Sequence, residues 1–242
     1  MFTAYYAMNA KNISNPKTFI DYQKLEVGKS VVKYSSAWIA DAESKQDKYL
    51  RQNPRATNVP HFLSFNKSEY WNEYQYSDYY ISHGMVTVYT AMPFGATQYN
   101  CYYQESYPLM KWMLTNDHAT MLGYPCQKAT CTFRGRSYVA WFAPDIPVHY
   151  GPWKFGGLPG LILKVYDVNK LYTFECTKIE RKAHNIVRRS FKGYKKRERP
   201  TVLKLVRRLN ENYDNAVGAV TKDRKGNIIK MGKKYYQPLE LN

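Results

Sequence analysis

A mainly β fold is what this sequence predicts: one antiparallel sheet, strongly curved or closed into a partly open barrel, with one or two helices at its edge. Three observations carry the prediction. Aromatic residues make up 16% of the 242-residue chain, with 24 Tyr, 10 Phe and 5 Trp, and such side chains suit pleated, half-buried surfaces. Short runs mixing β-branched, aromatic and polar residues recur between breaks rich in Gly, Pro and Asn, as strands and turns do. Helical apolar spacing shows clearly in one place, where Val202, Leu205, Val206 and Leu209 follow each other by threes and fours.

Taken in order, Phe2–Met8 reads as a strand and Asn12–Pro16 as a turn. Tyr22–Val27 and Ser30–Ile39 read as strands on either side of Gly28. Asp41–Arg51, polar and free of Gly and Pro, reads as a short exposed helix, and Asn53–Pro60 as a loop. Glu69–Tyr80 carries a dense aromatic pattern with Trp71, Tyr74, Tyr76, Tyr79 and Tyr80. Met85–Met92 reads as a strand ending at Pro93. Tyr99–Gln104, Met110–Leu114, Gly123–Phe133 and Ser137–Phe142 follow as strands, with turns expected at Asn116-Asp117 and at Gly135. Ala143–Gly160 holds four prolines and four glycines, too many for a helix or a central strand. Leu161–Tyr166 and Leu171–Thr177 form a second hairpin. Thr201–Tyr213 is the amphipathic helix, with Thr201 as its expected N-cap, and Lys222–Asn227 is a turn. Neither an internal repeat nor a low-complexity linker interrupts the pattern, so residues 1–242 read as a single domain whose basic segment, 178–217, is partly helical.

A chain of this length buries roughly 70–75% of its unfolded surface, so it needs neither metal nor disulfide merely to fold. It contains no run of 18 apolar residues, which excludes a transmembrane helix. The formal charge of +17 implies attraction to something anionic. That charge is concentrated: Lys178–Arg208 holds thirteen Lys or Arg and two Glu, a net of +11. Four cysteines, Cys101, Cys126, Cys131 and Cys176, lack any Cys-x-x-Cys spacing. They are either small core residues or partners in disulfides. The start Met1-Phe2-Thr3-Ala4-Tyr5-Tyr6 lacks the basic, apolar and small-residue regions of a secretory leader, which by itself predicts the cytoplasm.

The most specific stretch runs from Trp112 to Leu163. It contains Phe133-Arg-Gly-Arg-Ser-Tyr-Val-Ala-Trp141, Pro144-Asp-Ile-Pro147 and Gly151-Pro-Trp-Lys-Phe-Gly-Gly-Leu-Pro-Gly-Leu-Ile-Leu163. This resembles the GLPGLI family, envelope proteins of Bacteroidota named for the hexapeptide that stands here as Gly157, Leu158, Pro159, Gly160, Leu161 and Ile162. The ending Gln237-Pro-Leu-Glu-Leu241 and the opening Leu25-Glu-Val-Gly28 are similar to that family as well. The resemblance implies a β-rich fold and export to the periplasm or outer membrane after removal of a leader. It further implies oxidised rather than free cysteines, and the company of outer-membrane transport systems. It implies no reaction and no cofactor.

Read without the family, the proline–glycine block is a rigid corner leading into a buried strand, or a ligand-contacting rim presenting Trp153, Lys154 and Phe155 on a stiff backbone. Arg134 and Arg136 flank Gly135, placing two guanidinium forks where they suit a carboxylate or phosphate. The alternative is a solvated turn or a salt bridge to Asp145. Trp141 completes the candidate ligand- or partner-binding set. For metal, Met110, His118 and Met121 near Cys126 are weak soft-ligand candidates of the copper type. The histidines at 61, 83, 118, 149 and 184 follow no ligand spacing, and neither a nucleophile elbow nor a phosphate loop is present. Phe191 and Tyr194 are the only aromatics in the basic segment, too few for a nucleic-acid stacking platform. The expectation is a non-enzymatic envelope protein that binds an apolar or peptide ligand or an envelope partner such as a transporter. An envelope hydrolase assembled only by the fold and a metal-handling protein are the alternatives. The basic segment is expected to face an anionic envelope surface, with nucleic acid last.

Overall fold

The computed structural model describes residues 2–11, 18–60, 62, 71–93, 95–182, 185–218, 220, 223–228 and 232–241. The turn expected at Asn12–Pro16, His61 and His184 lie outside them. Twelve strands build one open sheet. They are β1 (Phe2–Lys11), β2 (Thr18–Val27), β3 (Val32–Ser36), β4 (Ser77–Ser82), β5 (Met85–Thr90), β6 (Cys101–Ser106), β7 (Met113–Met121), β8 (Tyr124–Phe133), β9 (Arg136–Ala143), β10 (Leu161–Asp167), β11 (Tyr172–Glu180) and β12 (Lys195–Lys196). Their spatial order is β12-β6-β5-β4-β3-β2-β1-β11-β10-β9-β8-β7. All neighbours are antiparallel except β12 with β6. Two meanders, β1 to β6 and β7 to β11, therefore meet along a single seam, where Thr3 pairs with Glu180 and Ala10 with Tyr172. The described helices are α1 (Ala37–Gln52), α2 (Arg199–Glu211) and α3 (Tyr213–Val217). No described helix is long and apolar enough to cross a membrane.

Period-two burial explains the strands. Along β1, Ala4, Tyr6, Met8 and Ala10 are buried while Tyr5, Ala7 and Asn9 are half-exposed. Turn chemistry sets the register. His83-Gly84, Leu122-Gly123 and Arg134-Gly135 each place two successive residues at positive φ, between 45° and 79°. This is the mirror-image turn that matches strand twist, and a second-position glycine eases it. The β7–β8 hairpin thus turns at Leu122-Gly123. The turn expected at Asn116-Asp117 is instead part of β7, at a register irregularity between Leu114 and His118.

Two further boundaries differ from expectation. The strand expected to reach Ile39 stops at Ser36, because the Ser36 hydroxyl accepts the Ile39 N–H at 3.2 Å and starts α1 at Ala37, four residues before the expected Asp41. Thr201 is not an N-cap. Glu198 takes that position and Pro200 lies in the first turn of α2, where a missing N–H costs nothing.

The inner face of the sheet is covered by the proline–glycine loop, by Val202, Val206 and Leu209 of α2, and by Leu239 near the C-terminus. Phe155 sits 4.9 Å from the Tyr138 ring and 6.0 Å from Phe174, centroid to centroid. On the outer face Phe191 stacks on Tyr89 at 3.7 Å, and Arg189 pairs with Glu43 of α1 and with Asp78 at 3.3 Å. Part of the basic segment's charge is therefore consumed in ion pairs inside the fold. All four cysteines are free and buried, which corrects the expectation of oxidised ones. Cys101, Cys126, Cys131 and Cys176 stand on β6, β8, β8 and β11, and their residues in register are Thr90, Ala119, Tyr138 and Tyr6 rather than one another. Burial pushes the Cys101 thiol up to about 11 and those of Cys131 and Cys176 to about 12, so they behave as apolar packing groups.

Candidate functional site

The site begins in the proline–glycine loop. Trp153 adopts φ 54°, uncommon for a bulky residue, and the Phe155 N–H closes back on the Pro152 carbonyl at 3.0 Å. Glycines around it are places where two backbones meet. A Cβ on Gly160 would overlap the Ala143 carbonyl, and one on Gly151 would lie 2.8 Å from Cβ of Ile162. This tight turn buries Lys154, 1% exposed, and aims its ammonium at three acceptors. Its Nζ donates to the Tyr103 hydroxyl at 2.9 Å, Glu105 Oε1 at 2.7 Å and Glu240 Oε1 at 2.9 Å. The Tyr103 and Trp153 rings, at 5.3 and 5.1 Å, add cation–π attraction.

The two carboxylates are shared by two more cations. Arg134, on the β8–β9 turn, reaches both Glu105 and Glu240. Arg199, at the start of α2, donates to Glu240 Oε2 at 2.8 Å and lies 3.4 Å from Glu105 Oε2. Burial alone would push both carboxyls up. The charge of Lys154, followed by Arg134 for both and Arg199 for Glu240, outweighs it and holds both below the usual carboxylate range. Three cations around two carboxylates leave one net positive charge in a largely dry cluster.

Glu240 is brought there by a C-terminal segment read almost entirely by side chains. Arg136 donates to the Pro238 carbonyl at 2.6 Å, and Tyr138 and Tyr172 donate to those of Leu239 and Gln237. The Leu239 N–H donates to the Tyr74 hydroxyl at 2.7 Å, and the Leu241 N–H to the Arg134 carbonyl at 2.9 Å. Arg136 is itself anchored on buried Asp167, at 3.1 Å.

Between α2, this segment and the sheet lies a cavity of about 380 Å³. Tyr79, Tyr103, Trp153, Leu203, Val206 and Leu239 are among its apolar and aromatic lining, while Lys204 and Arg207 line it from the exposed flank of α2. Its second acid is Glu73, buried, which accepts from Asn210 at 3.1 Å and from the Tyr236 hydroxyl. Desolvation pushes the Glu73 carboxyl from 4.5 up to about 7. The segment that carries it is fixed to β2: the Gln23 amide donates to the Tyr74 carbonyl at 3.0 Å, and the Gln75 amide to Asp21 at 3.3 Å.

The raised value has a sign that can be measured. Between 4.5 and about 7 the folded protein holds a proton on Glu73 that the unfolded chain has released, so this group withdraws stability as pH rises through that window. Glu73→Gln is expected to match the parent below pH 4.5 and to become progressively more stable than it towards and above pH 7, read as urea midpoints across a pH series. A difference that does not change with pH would contradict the assignment.

Of the sequence candidates, the structure brings together Arg134, Lys154 and Trp153 with Glu105, Glu240 and Arg199. Phe155 belongs to the core, with no exposure. The guanidinium of Arg136 goes to Asp167 and the C-terminal segment, and neither arginine pairs with Asp145. Trp141 stands on the outer face of β9, in register with Lys128 and Lys164. In the hexapeptide, Leu158, Leu161 and Ile162 are core residues, and Gly157 takes φ 87°. Met110 is buried in the core, whereas His118 and Met121 are three residues apart on β7 and so face opposite sides. Among the described residues no group of three or more His, Cys, Asp or Glu could hold a metal ion. Glu73 and Glu105 had no local signal, since each is a lone acid in an aromatic stretch, while Arg199 was one cation among many in the basic segment and Glu240 stood out only as part of the chain's ending motif.

Fold and site together define a class: an open, mostly antiparallel β-sheet with a helix-roofed cavity beside a buried ion cluster. Comparison with known proteins adds a family likeness. A family described as "Protein of unknown function (Porph_ging)", of the Bacteroidota type, matches residues 134–164. That span runs from the β8–β9 turn through the proline–glycine loop into β10. No curated protein matches. Among solved structures, PNGF-II is similar in two crystal forms. In space group P21 the identity is 14% and the TM-score 0.57, and in C2 they are 13% and 0.53. Each likeness covers 85% of this chain and 32% of the other, so the chain spans about a third of the length of the structures it matches. At such identity the likeness is one of fold.

Proposed function

We propose that this chain is a non-enzymatic binding or accessory protein of the bacterial cell envelope, of the GLPGLI type, that holds a small apolar ligand in the cavity beneath α2. The observation that carries this reading is the cavity itself. Its 380 Å³ falls in the range of small-molecule sites, which are mostly apolar with a few placed polar groups. The strongest charges beside it, Lys154, Arg134 and Arg199 with Glu105 and Glu240, are paired with one another. A cluster closed in this way shapes a wall more readily than it supplies a free base or nucleophile. The envelope setting and an outer-membrane transporter as partner rest on the hexapeptide block and on the family likeness over 134–164. The exposed part of the basic segment, including Lys195, Lys196 and Arg197 on and beside the edge strand β12, suits an anionic envelope surface.

The test is native mass spectrometry of the chain purified from its own cells, beside co-purification from the envelope fraction. A discrete added mass or a reproducible envelope partner, lost in Leu203→Trp, supports the reading. Bare protein with no partner in both experiments counts against it. One observation favours a second reading, an envelope hydrolase: Glu73 is a cavity carboxyl that titrates near 7, where a general acid–base would sit. Turnover on an envelope substrate panel that Glu73→Gln abolishes would bring that reading forward.

A further inference from the structure

Resting on the reading of the cavity as a ligand site, we propose that its ligand is a single-chain fatty carboxylate, with the chain under α2 and the head at Lys204 and Arg207. Size and shape set the chain. One face of α2 roofs the cavity from Arg199, bound to Glu240, to Arg207, and that stretch of helix spans ~12 Å. At about 30 Å³ for each water-sized group, 380 Å³ holds about a dozen such groups. Leu203, Val206, Leu239 and the rings of Tyr79 and Tyr103 give them an apolar wall.

Charge sets the head. All three ammonium hydrogens of Lys154 are taken by Tyr103, Glu105 and Glu240, so the interior offers a ligand no cation there. The rim does. Lys204 lines the cavity, is exposed, and has no carboxylate within ion-pair distance among the described residues. Arg207 lines it too, its nearest carboxylate being Glu211 on the same helix at 3.4 Å. The buried cluster behind them contributes one further net positive charge. The cavity's acids, Glu73 and Glu240, are buried and already hydrogen-bonded. A carboxylate at the rim therefore meets the unpaired Lys204 beside an Arg207 only loosely held by Glu211, an alcohol at the same place gains nothing from them, and an ammonium is repelled.

Titration calorimetry on the full chain with dodecanoate, dodecan-1-ol and dodecylamine, each below its aggregation concentration, separates these possibilities. Two exposed charge contacts predict about tenfold tighter binding of dodecanoate than of dodecan-1-ol, with dodecylamine weakest. In Lys204→Gln/Arg207→Gln, whose side chains are exposed, the preference for dodecanoate over dodecan-1-ol is expected to vanish. Equal binding of dodecanoate and dodecan-1-ol to the parent would overturn the head assignment and leave the cavity reading standing. Failure of all three probes would overturn both.

Discussion

Replacing Glu240 by glutamine is expected to cost about 4 kcal/mol, a large share of the stability of a domain of this kind. The reason is charge count in a dry place. Glu240, whose side chain is 5% exposed, receives Lys154, Arg134 and Arg199 at once. Without it, three cations share Glu105 alone, and the cluster carries two net positive charges away from water. Lys154→Met removes a cation instead and leaves two arginines with two carboxylates, a balanced set. It should cost about half as much, chiefly for the acceptors on Tyr103, Glu105 and Glu240 that lose their donor. The double variant restores the original charge count and should therefore cost less than the sum of the two. Urea denaturation of the four proteins gives the answer. A Glu240→Gln cost at or below that of Lys154→Met would show that charge balance does not govern the cluster.

Gly160→Ala is the second large effect, at about 3 kcal/mol. A Cβ there would overlap the Ala143 carbonyl and lie 2.9 Å from Cα of Pro144. Both obstacles are backbone, so no rotamer change relieves them. The strain would fall on the pairing of β9 with β10, where Leu161 faces Ala143, and on the loop that presents Lys154. In a chain of this length the loss corresponds to a fall of about 6–10 °C in Tm. Gly232→Ala is the matched control, since nothing lies within 4 Å of its would-be Cβ and its φ is ordinary. It should stay within about 0.5 kcal/mol of the parent. Similar losses for the two glycines would mean that close backbone approach is not what position 160 requires.

The strands were legible in the sequence because burial on a pleat leaves a period of two, and β1, β5 and β9 alternate plainly. Strand β7 was cut short because it is the open edge of the sheet. There Met113 and Leu114 are exposed, and Asn116-Asp117 imitate a turn. The early start of α1 was hidden because it depends on the Ser36 hydroxyl rather than on apolar spacing. At the site, Arg134 and Lys154 were visible as unusual cations in a rigid, specific block. Their partners were not, because Glu105 and Glu240 come from β6 and the chain end and meet only in three dimensions. Arg134 and Arg136 share one turn yet serve different carboxylates, which two-residue spacing alone could not decide.

The single seam between the two meanders has a kinetic meaning. The partners of β1 lie in β11, most of the chain away, so loop closure must be paid for before the seam returns any stability. Until β11 is made, the long inward edge of β1 is an unpaired template that another chain can join. The segment at Tyr236–Leu241, made only after every strand of the sheet, closes the cavity and neutralises Lys154. A nascent copy of this protein can therefore hold most of its sheet and still have no pocket.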